Sequence, residues 1–313
     1  MIEIKSLRVD YENVTAVADV NITVEPGRIY GLVGPNGAGK TSLLKAIAGL
    51  VETTYGDIKI CGYDLELNPR KALQELGFMP DFNAVYENLK VWEYLDVFAT
   101  AYLIERKSRM KLVEKWIKQV GLQEKTDALI HTLSRGMRQR LVLARTLIHN
   151  PKVVLLDEPA SGLDPLGRIE MRKLLKEAAL GGKAIIISSH ILSELSDLCD
   201  AAGIMEKGRM VISGDLDRLR EYAGMKTEIV IRLFEASHEA TGKLIAALKN
   251  RRAVGVLKEE KPGEFCAEFS GSRAELPGLL GALMKEGLPI SQFFIREADL
   301  EDIFFKTGAG KTS

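Results

Sequence analysis

No charge of one sign dominates this chain of 313 residues: Lys and Arg together number 43, and so do Asp and Glu. Without a global field the electrostatic pull toward nucleic acid or an anionic membrane surface is missing, and no nucleic-acid partner is expected. Long apolar runs are missing as well. The strongest, Val153 to Leu156 and Ala184 to Ile187, fall far short of the roughly 20 residues that a membrane span requires, so nothing here is expected to cross a bilayer alone. The N-terminal Met1-Ile2-Glu3-Ile4-Lys5 alternates like a strand and has neither a basic start nor an apolar run of signal-peptide length, which argues against secretion. Cysteine is scarce: Cys61, Cys199 and Cys266 are odd in number, widely separated and form no C-x-x-C pair. That pattern implies a reduced, cytosolic protein with structural cysteines.

What is present is a hydrophobic content of 46%, ample for packed cores, in a length that suggests two domains at about 150 residues each. The most informative segment is Gly34-Pro35-Asn36-Gly37-Ala38-Gly39-Lys40-Thr41, followed by Ser42, which fits the phosphate-loop pattern G-x-x-x-x-G-K-[ST]. Apolar strands with one turn, Thr15 to Val33, lead into it. Such a loop turns backbone N–H groups toward a polyphosphate, and a helix starting at Gly39 adds its positive dipole end. A Cβ at Gly34, Gly37 or Gly39 would block that approach or the positive φ angles it needs. Lys40 is expected to reach the β and γ phosphates, and the Thr41 hydroxyl to help hold Mg²⁺. The hexapeptide Gly-Ala-Gly-Lys-Thr-Ser at 37 to 42 recurs at 308 to 313. The second copy has Phe305 in place of the first loop glycine and no helix to follow, so it reads as an inert tail.

Val153 to Glu158 is an apolar run bounded by Pro151 and Pro159 that ends in two acids, the pattern of a buried strand. Adjacent carboxylates at a strand end are costly to leave unpaired, and a phosphate-bound Mg²⁺ would supply the positive charge. Asp157 is the candidate metal ligand, through water. Glu158, expected on the other side of the pleat, is the candidate general base.

With these two motifs goes Leu133-Ser134-Arg135-Gly136-Met137-Arg138-Gln139-Arg140, and together they resemble the nucleotide-binding subunits of ABC (ATP-binding cassette) transporters over residues 2 to 222. The octapeptide is similar to the family signature Leu-Ser-Gly-Gly-Gln, with Arg135 and Met137 in place of glycine and glutamine. Ser134 suits a helix N-cap, and a helix from Arg135 to Ile148 would aim its positive end outward at an anion. The resemblance implies an α/β P-loop NTPase cassette: a RecA-like core, an antiparallel β subdomain and a helical subdomain at about 82 to 150. It implies ATP and Mg²⁺ as ligands, ATP hydrolysis, and a head-to-tail dimer in which Ser134 and Gly136 of one copy face the γ-phosphate held by the other. It also implies that Tyr11 stacks on adenine, that Ser161-Gly162-Leu163-Asp164 communicates between the paired cassettes, and that His190 is the switch histidine beside Glu158. Ser161 to Asp164 also suits a turn before a helix with Pro165 at its first position. Asp81 in Gly77-Phe78-Met79-Pro80-Asp81 stands where the family has glutamine and is expected to contact the metal. Arg135 either adds a contact to phosphate or stays solvated. His131, His149 and His238 are read as structural.

The candidate catalytic residues are thus Lys40, Glu158 and His190. The nucleotide-binding set is Tyr11, Gly34 to Ser42, Ser134 and Gly136, and the metal set is Thr41, Asp81 and Asp157. In 82 to 132 the apolar spacing from Val85 onward reads as helical and ends at Gly121, with Tyr86, Trp92, Tyr94 and Trp116 as core, some of which would line the groove for a membrane subunit. A hairpin turning at Lys207-Gly208 and a short helix, Asp215 to Tyr222, close the cassette. From 226 to 313 the order β-α-β-β-α-β predicts a ferredoxin-like α+β accessory domain for dimer contact or regulation. Leu300 to Phe304, with Ala298 and Asp299 before them, resembles the last helix of exporter cassettes. A separate transmembrane permease at the cytoplasmic face of the membrane is the implied partner, and export the implied direction. The competing readings are a non-transport ABC-type ATPase or a regulatory nucleotide switch. The short interval between loop and signature argues against a chromosome-organising machine, and a single cassette against a translation-linked one.

Overall fold

The computed structural model describes residues 1–82, 85–224, 227–234, 237–249, 251, 253–296 and 300–306. The repeated hexapeptide at 308 to 313, and Ala298 and Asp299, lie outside the described residues. The chain divides into two compact units, Met1–Leu216 and Asp217–Thr307.

In chain order the first unit contains β1 (Ile2–Tyr11), β2 (Val14–Val24), β3 (Ile29–Val33), α1 (Lys40–Ile47), β4 (Tyr55–Ile60), β5 (Tyr63–Asp64), α2 (Pro69–Gln74) and β6 (Leu76–Met79). There follow α3 (Val91–Ala101), α4 (Arg106–Gln119), α5 (Arg135–Leu147), β7 (Val153–Asp157), α6 (Pro165–Leu180), β8 (Ala184–Ser189), α7 (Leu192–Ser196), β9 (Ala201–Glu206) and β10 (Arg209–Asp215), and α8 (Leu216–Tyr222) leads into the second unit. The strands form two sheets. One is antiparallel, β2-β1-β4-β5; the other runs β10-β9-β3-β8-β7-β6, with β9, β3, β8, β7 and β6 parallel. Strands β3, β7 and β8 are buried at every position, because both faces of the parallel sheet are covered, one of them by α1 and the antiparallel sheet. This explains their unbroken apolar runs. A shared core joins the two sheets through Ile4, Leu7, Ile22, Leu43, Ile47 and Leu155.

The register of the parallel strands positions the site. Val33 pairs with Ser189, Asp157 with Ser188, and Met79 with Leu156. The carboxyl ends of four neighbouring strands therefore finish level, and the loops that leave them carry Gly34 to Thr41, Asp81, Glu158 and His190. Ligands of open α/β sheets bind at that edge.

Helices α3, α4 and α5 make a separate core of Val91, Tyr94, Leu95, Val113, Ile117 and Leu141. Helix begins at Val91, not near Val85, and it starts there because the Glu93 carboxylate accepts a hydrogen bond from the Lys90 backbone N–H at 2.9 Å. Helix α4 ends before Gly121, which takes φ +66°. Of the four aromatics expected in this core, Tyr94 is fully buried, and Trp92 and Trp116 pack partly buried against it. Tyr86 is 59% exposed, since it precedes the helix and covers the core from outside, edge to face with Tyr94 and stacked on Phe98.

The second unit contains β11 (Thr227–Leu233), α9 (His238–Lys249), β12 (Val254–Lys261), β13 (Glu264–Phe269), α10 (Leu276–Lys285), β14 (Ile290–Arg296) and α11 (Leu300–Lys306). Its sheet is antiparallel in the order β12-β13-β11-β14, the arrangement of a ferredoxin-like split β-α-β fold. Alternation does the local work. Ile229, Ile231, Leu233, Phe265, Ala267 and Phe269 face Leu244, Leu248, Leu279 and Leu283 of α9 and α10.

Candidate nucleotide-binding and hydrolysis site

Beyond Val33 the chain makes a loop and enters α1 through Gly39, which takes φ +101°. A Cβ on Gly39 would lie 2.2 Å from the Ala16 carbonyl oxygen, and one on Gly34 2.3 Å from that of Met205, so both positions require glycine. The first-turn amides of α1 have no intrahelical acceptor and face the loop's concavity with the dipole's positive end. Lys40 is buried and its Nζ donates to the carbonyls of Gly34 at 2.6 Å and Pro35 at 3.2 Å. Burial pulls its ammonium below the usual lysine range, while the Glu158 and Asp157 carboxylates oppose that shift.

The acidic pair occupies two different environments. Asp157 ends β7 with 1% exposure; its Oδ1 accepts a hydrogen bond from Ser188 Oγ at 2.6 Å, and its Oδ2 is buried without a partner among the described residues. A buried carboxylate oxygen left open in this way is an oxygen donor that suits a hard divalent cation such as Mg²⁺. Glu158 does not continue the pleat as the sequence suggested. It turns left-handed, with φ +48°, and its backbone N–H donates to Ser188 Oγ at 3.0 Å and to the Ser188 carbonyl at 3.2 Å. These bonds hold a conformation that a non-glycine residue rarely adopts. Its Oε2 lies 2.8 Å from His190 Nδ1. Burial raises the Glu158 carboxyl above the ordinary glutamate range, and His190 and Lys40 pull it partly back.

One cleft of about 470 Å³ is lined by Asn36, Gly37, Ala38, Gly39, Lys40, Thr41, Ser42, Asp81 and Glu158, together with Val14, Thr15, Ala16, Lys207 and Gly208. The structure thus brings Asp81 beside the phosphate loop and the acid. Gly34 and Pro35 support the loop from behind. Tyr11 ends β1, is 41% exposed and lies across from Val14 in the β-ladder; it is not among the lining residues. Ser134 caps α5, its Oγ accepting from Met137 N–H at 3.3 Å, and neither it nor Gly136 lines this cleft.

Sequence reasoning missed three supports. Val14 to Ala16 wall the cleft, and the Lys207-Gly208 turn braces the loop: Gly208 N–H donates to the Ala38 carbonyl at 3.0 Å and its carbonyl accepts from Ala18 N–H at 2.7 Å. The Gly208 turn signal was visible in the sequence, but not what it touches. Ser188 tethers both acids, and its only sequence signal was its place at the end of an apolar strand.

A family model described as ABC transporter matches residues 17–161. The chain is 33% identical to the Nod factor export ATP-binding protein I of Burkholderia orbicola, over 97% of this chain and 96% of that one. It is 32% identical to the bacitracin transport ATP-binding protein BcrA of Bacillus licheniformis, over 96% of this chain and 95% of that one. Among solved structures, an ATP-binding subunit of an ABC transporter superposes with a TM-score of 0.67 at 30% identity, covering 72% of this chain and 94% of that one. A phosphate loop, an acid pair with one member buried and a histidine on level strand ends, together with relatives matched over nearly their full length, lead to one conclusion: this chain belongs to the ATP-binding, ATP-hydrolysing subunits of ABC transporters.

Proposed function

We propose that two copies of this chain close head to tail around two Mg·ATP, and that the closure drives a separate membrane permease, in the export direction, from the cytoplasmic face of the membrane. One observation carries the dimer. The cleft holds the phosphate loop, Asp81 and Glu158 of one chain, whereas the exposed start of α5 with Ser134 and Gly136 stands apart from it, so that its positive end calls for an anion this cleft does not bring to it. A second copy supplies that anion. No helix among the described residues is long and apolar enough to cross a membrane, so the motion passes to another subunit. The export named for the Nod factor relative supports the direction.

Within each site Lys40 leaves its two loop carbonyls and takes the β and γ phosphates, the exchange of a neutral acceptor for a charged one. Glu158, held by Ser188 and His190, accepts a proton from the attacking water. Asp157, Thr41 and Asp81 hold Mg²⁺, which when bound neutralises charge on the phosphate oxygens. Tyr11, next to Val14 at the cleft's edge, stacks on adenine. The ferredoxin-like unit serves dimer contact or regulation. Closure follows from the higher affinity of ATP for the closed pair, and loss of the γ-phosphate reopens it.

The test is light scattering of Glu158→Gln with Mg·ATP. A stable dimer is expected, lost on adding Lys40→Ala, which removes the phosphate contact. Monomers saturated with Mg·ATP would refute the proposal.

A further inference from the structure

Arg135 opens α5 at the position where the family signature has glycine. A cation in the first turn meets the positive end of the helix dipole, so the local energetics disfavour it. Among the described residues no hydrogen bond or ion pair engages its guanidinium. What it meets is Gly162, in the turn after Glu158: a Cβ built there would lie 2.2 Å from Arg135 Cζ and 2.5 Å from Nε and Nη1. The guanidinium therefore lies directly on the Cα of Gly162, which takes φ +70°. One residue along, a Cβ on Gly136 would stand 3.5 Å from Leu163 Cδ2, and Leu163 is 4% exposed.

The turn so covered is compact. Ser161 N–H donates to the Glu158 carbonyl at 3.1 Å and Leu163 N–H to that of Ala160 at 3.2 Å. Asp164 caps α6, accepting from Gly167 N–H at 2.9 Å, and Arg168 Nε donates to the Leu163 carbonyl at 3.1 Å. All these bonds are internal to the segment from Glu158 to α6. Arg135 and Gly136 reach it from the helical subdomain.

We propose that Arg135 is a positioning residue: by lying flat on Gly162 it holds the 161–164 turn against the start of α5, so that the backbone carrying Glu158 and the Ser134 cap move as one body. The sequence alternatives, a phosphate contact or a solvated side chain, did not include this contact. The proposal rests on the role given to Glu158 above. Planarity is essential to it, because an ammonium carries the same charge but presents no flat face.

The test combines hydrogen exchange of the segment 158–164 in the nucleotide-free chain with steady-state ATPase, for the wild type, Arg135→Ala, Arg135→Lys, Gly162→Ala and the double variant Arg135→Ala/Gly162→Ala. Both Arg135 variants should exchange the amides of Ser161 and Leu163 about tenfold faster, as local opening becomes easier. They should lower kcat roughly five- to tenfold with KM within about twofold, because the phosphate loop is untouched. The double variant should be no worse than Gly162→Ala alone, since the two changes remove one contact. Unchanged exchange in Arg135→Ala overturns the proposal, and so does a wild-type kcat in Arg135→Lys, which would make charge the contribution. If the wild type turned over no ATP, the functional reading would fall, while the exchange data would still decide the contact.

Discussion

Ser188 is fully buried and serves both acids of the site at once, so Ser188→Ala isolates what that support is worth. The Oγ donates to Asp157 Oδ1 at 2.6 Å, a bond to a carboxylate, and such bonds contribute about 1.5–3 kcal/mol. Its removal takes from Asp157 the hydrogen bond to Oδ1, and Oδ2 has no partner among the described residues to compensate. Glu158 N–H retains the Ser188 carbonyl at 3.2 Å, so that half of the loss is small. The net destabilisation is therefore about 2 kcal/mol, which for a unit of this size lowers Tm by roughly 4–8 °C. The chain has 2 tryptophans, Trp92 and Trp116, both in the helical subdomain of the same unit, and their fluorescence reports its melting. Melts without ligand should show the full gap. With saturating Mg·ATP the gap should narrow, because a cation at Asp157 supplies the partner that serine had supplied. A Ser188→Ala chain that melts with the wild type would refute the assigned bond, and a gap indifferent to Mg·ATP would refute the metal site.

Other perturbations address the neighbours of Asp157. In Asp81→Asn the Mg²⁺ concentration for half-maximal hydrolysis should rise, by up to about fivefold for an exposed charge; an unchanged requirement would remove Asp81 from the metal set. The acid limb of kcat against pH should lie above the ordinary glutamate range, since the base must be a carboxylate and burial raises the pH at which Glu158 loses its proton. His190 lowers that pH through its 2.8 Å contact, so the residual activity of His190→Ala should carry a limb at higher pH. A limb that stayed in place would show that His190 does not act on the Glu158 proton.

Most of the cassette was readable because its signals are local. A phosphate loop is a run of backbone conformations that glycine permits, and Gly34, Gly37 and Gly39 declare it directly. The all-apolar Val153 to Leu156 and Ala184 to Ile187 announce strands covered on both faces, and in β11 and β13 the alternation shows which face meets α9 and α10. Tyr86 misled because its apolar ring suits a core, while its place before the Lys90 cap leaves it at the surface. Glu158 misled because pleat alternation holds only to Asp157, where the strand ends.

The order of motifs, the residue types that bind phosphate and the secondary-structure pattern of both units were determined by the sequence alone, since each depends on neighbours a few positions away. The tertiary structure alone decided that Ser188 ties Asp157 to Glu158, that Gly208 braces Ala38, and that Arg135 covers Gly162. Those pairs are separated by tens of residues along the chain and meet only because parallel strands finish level and α5 packs beside the turn into α6. Strand register and packing, not local propensity, set such distances.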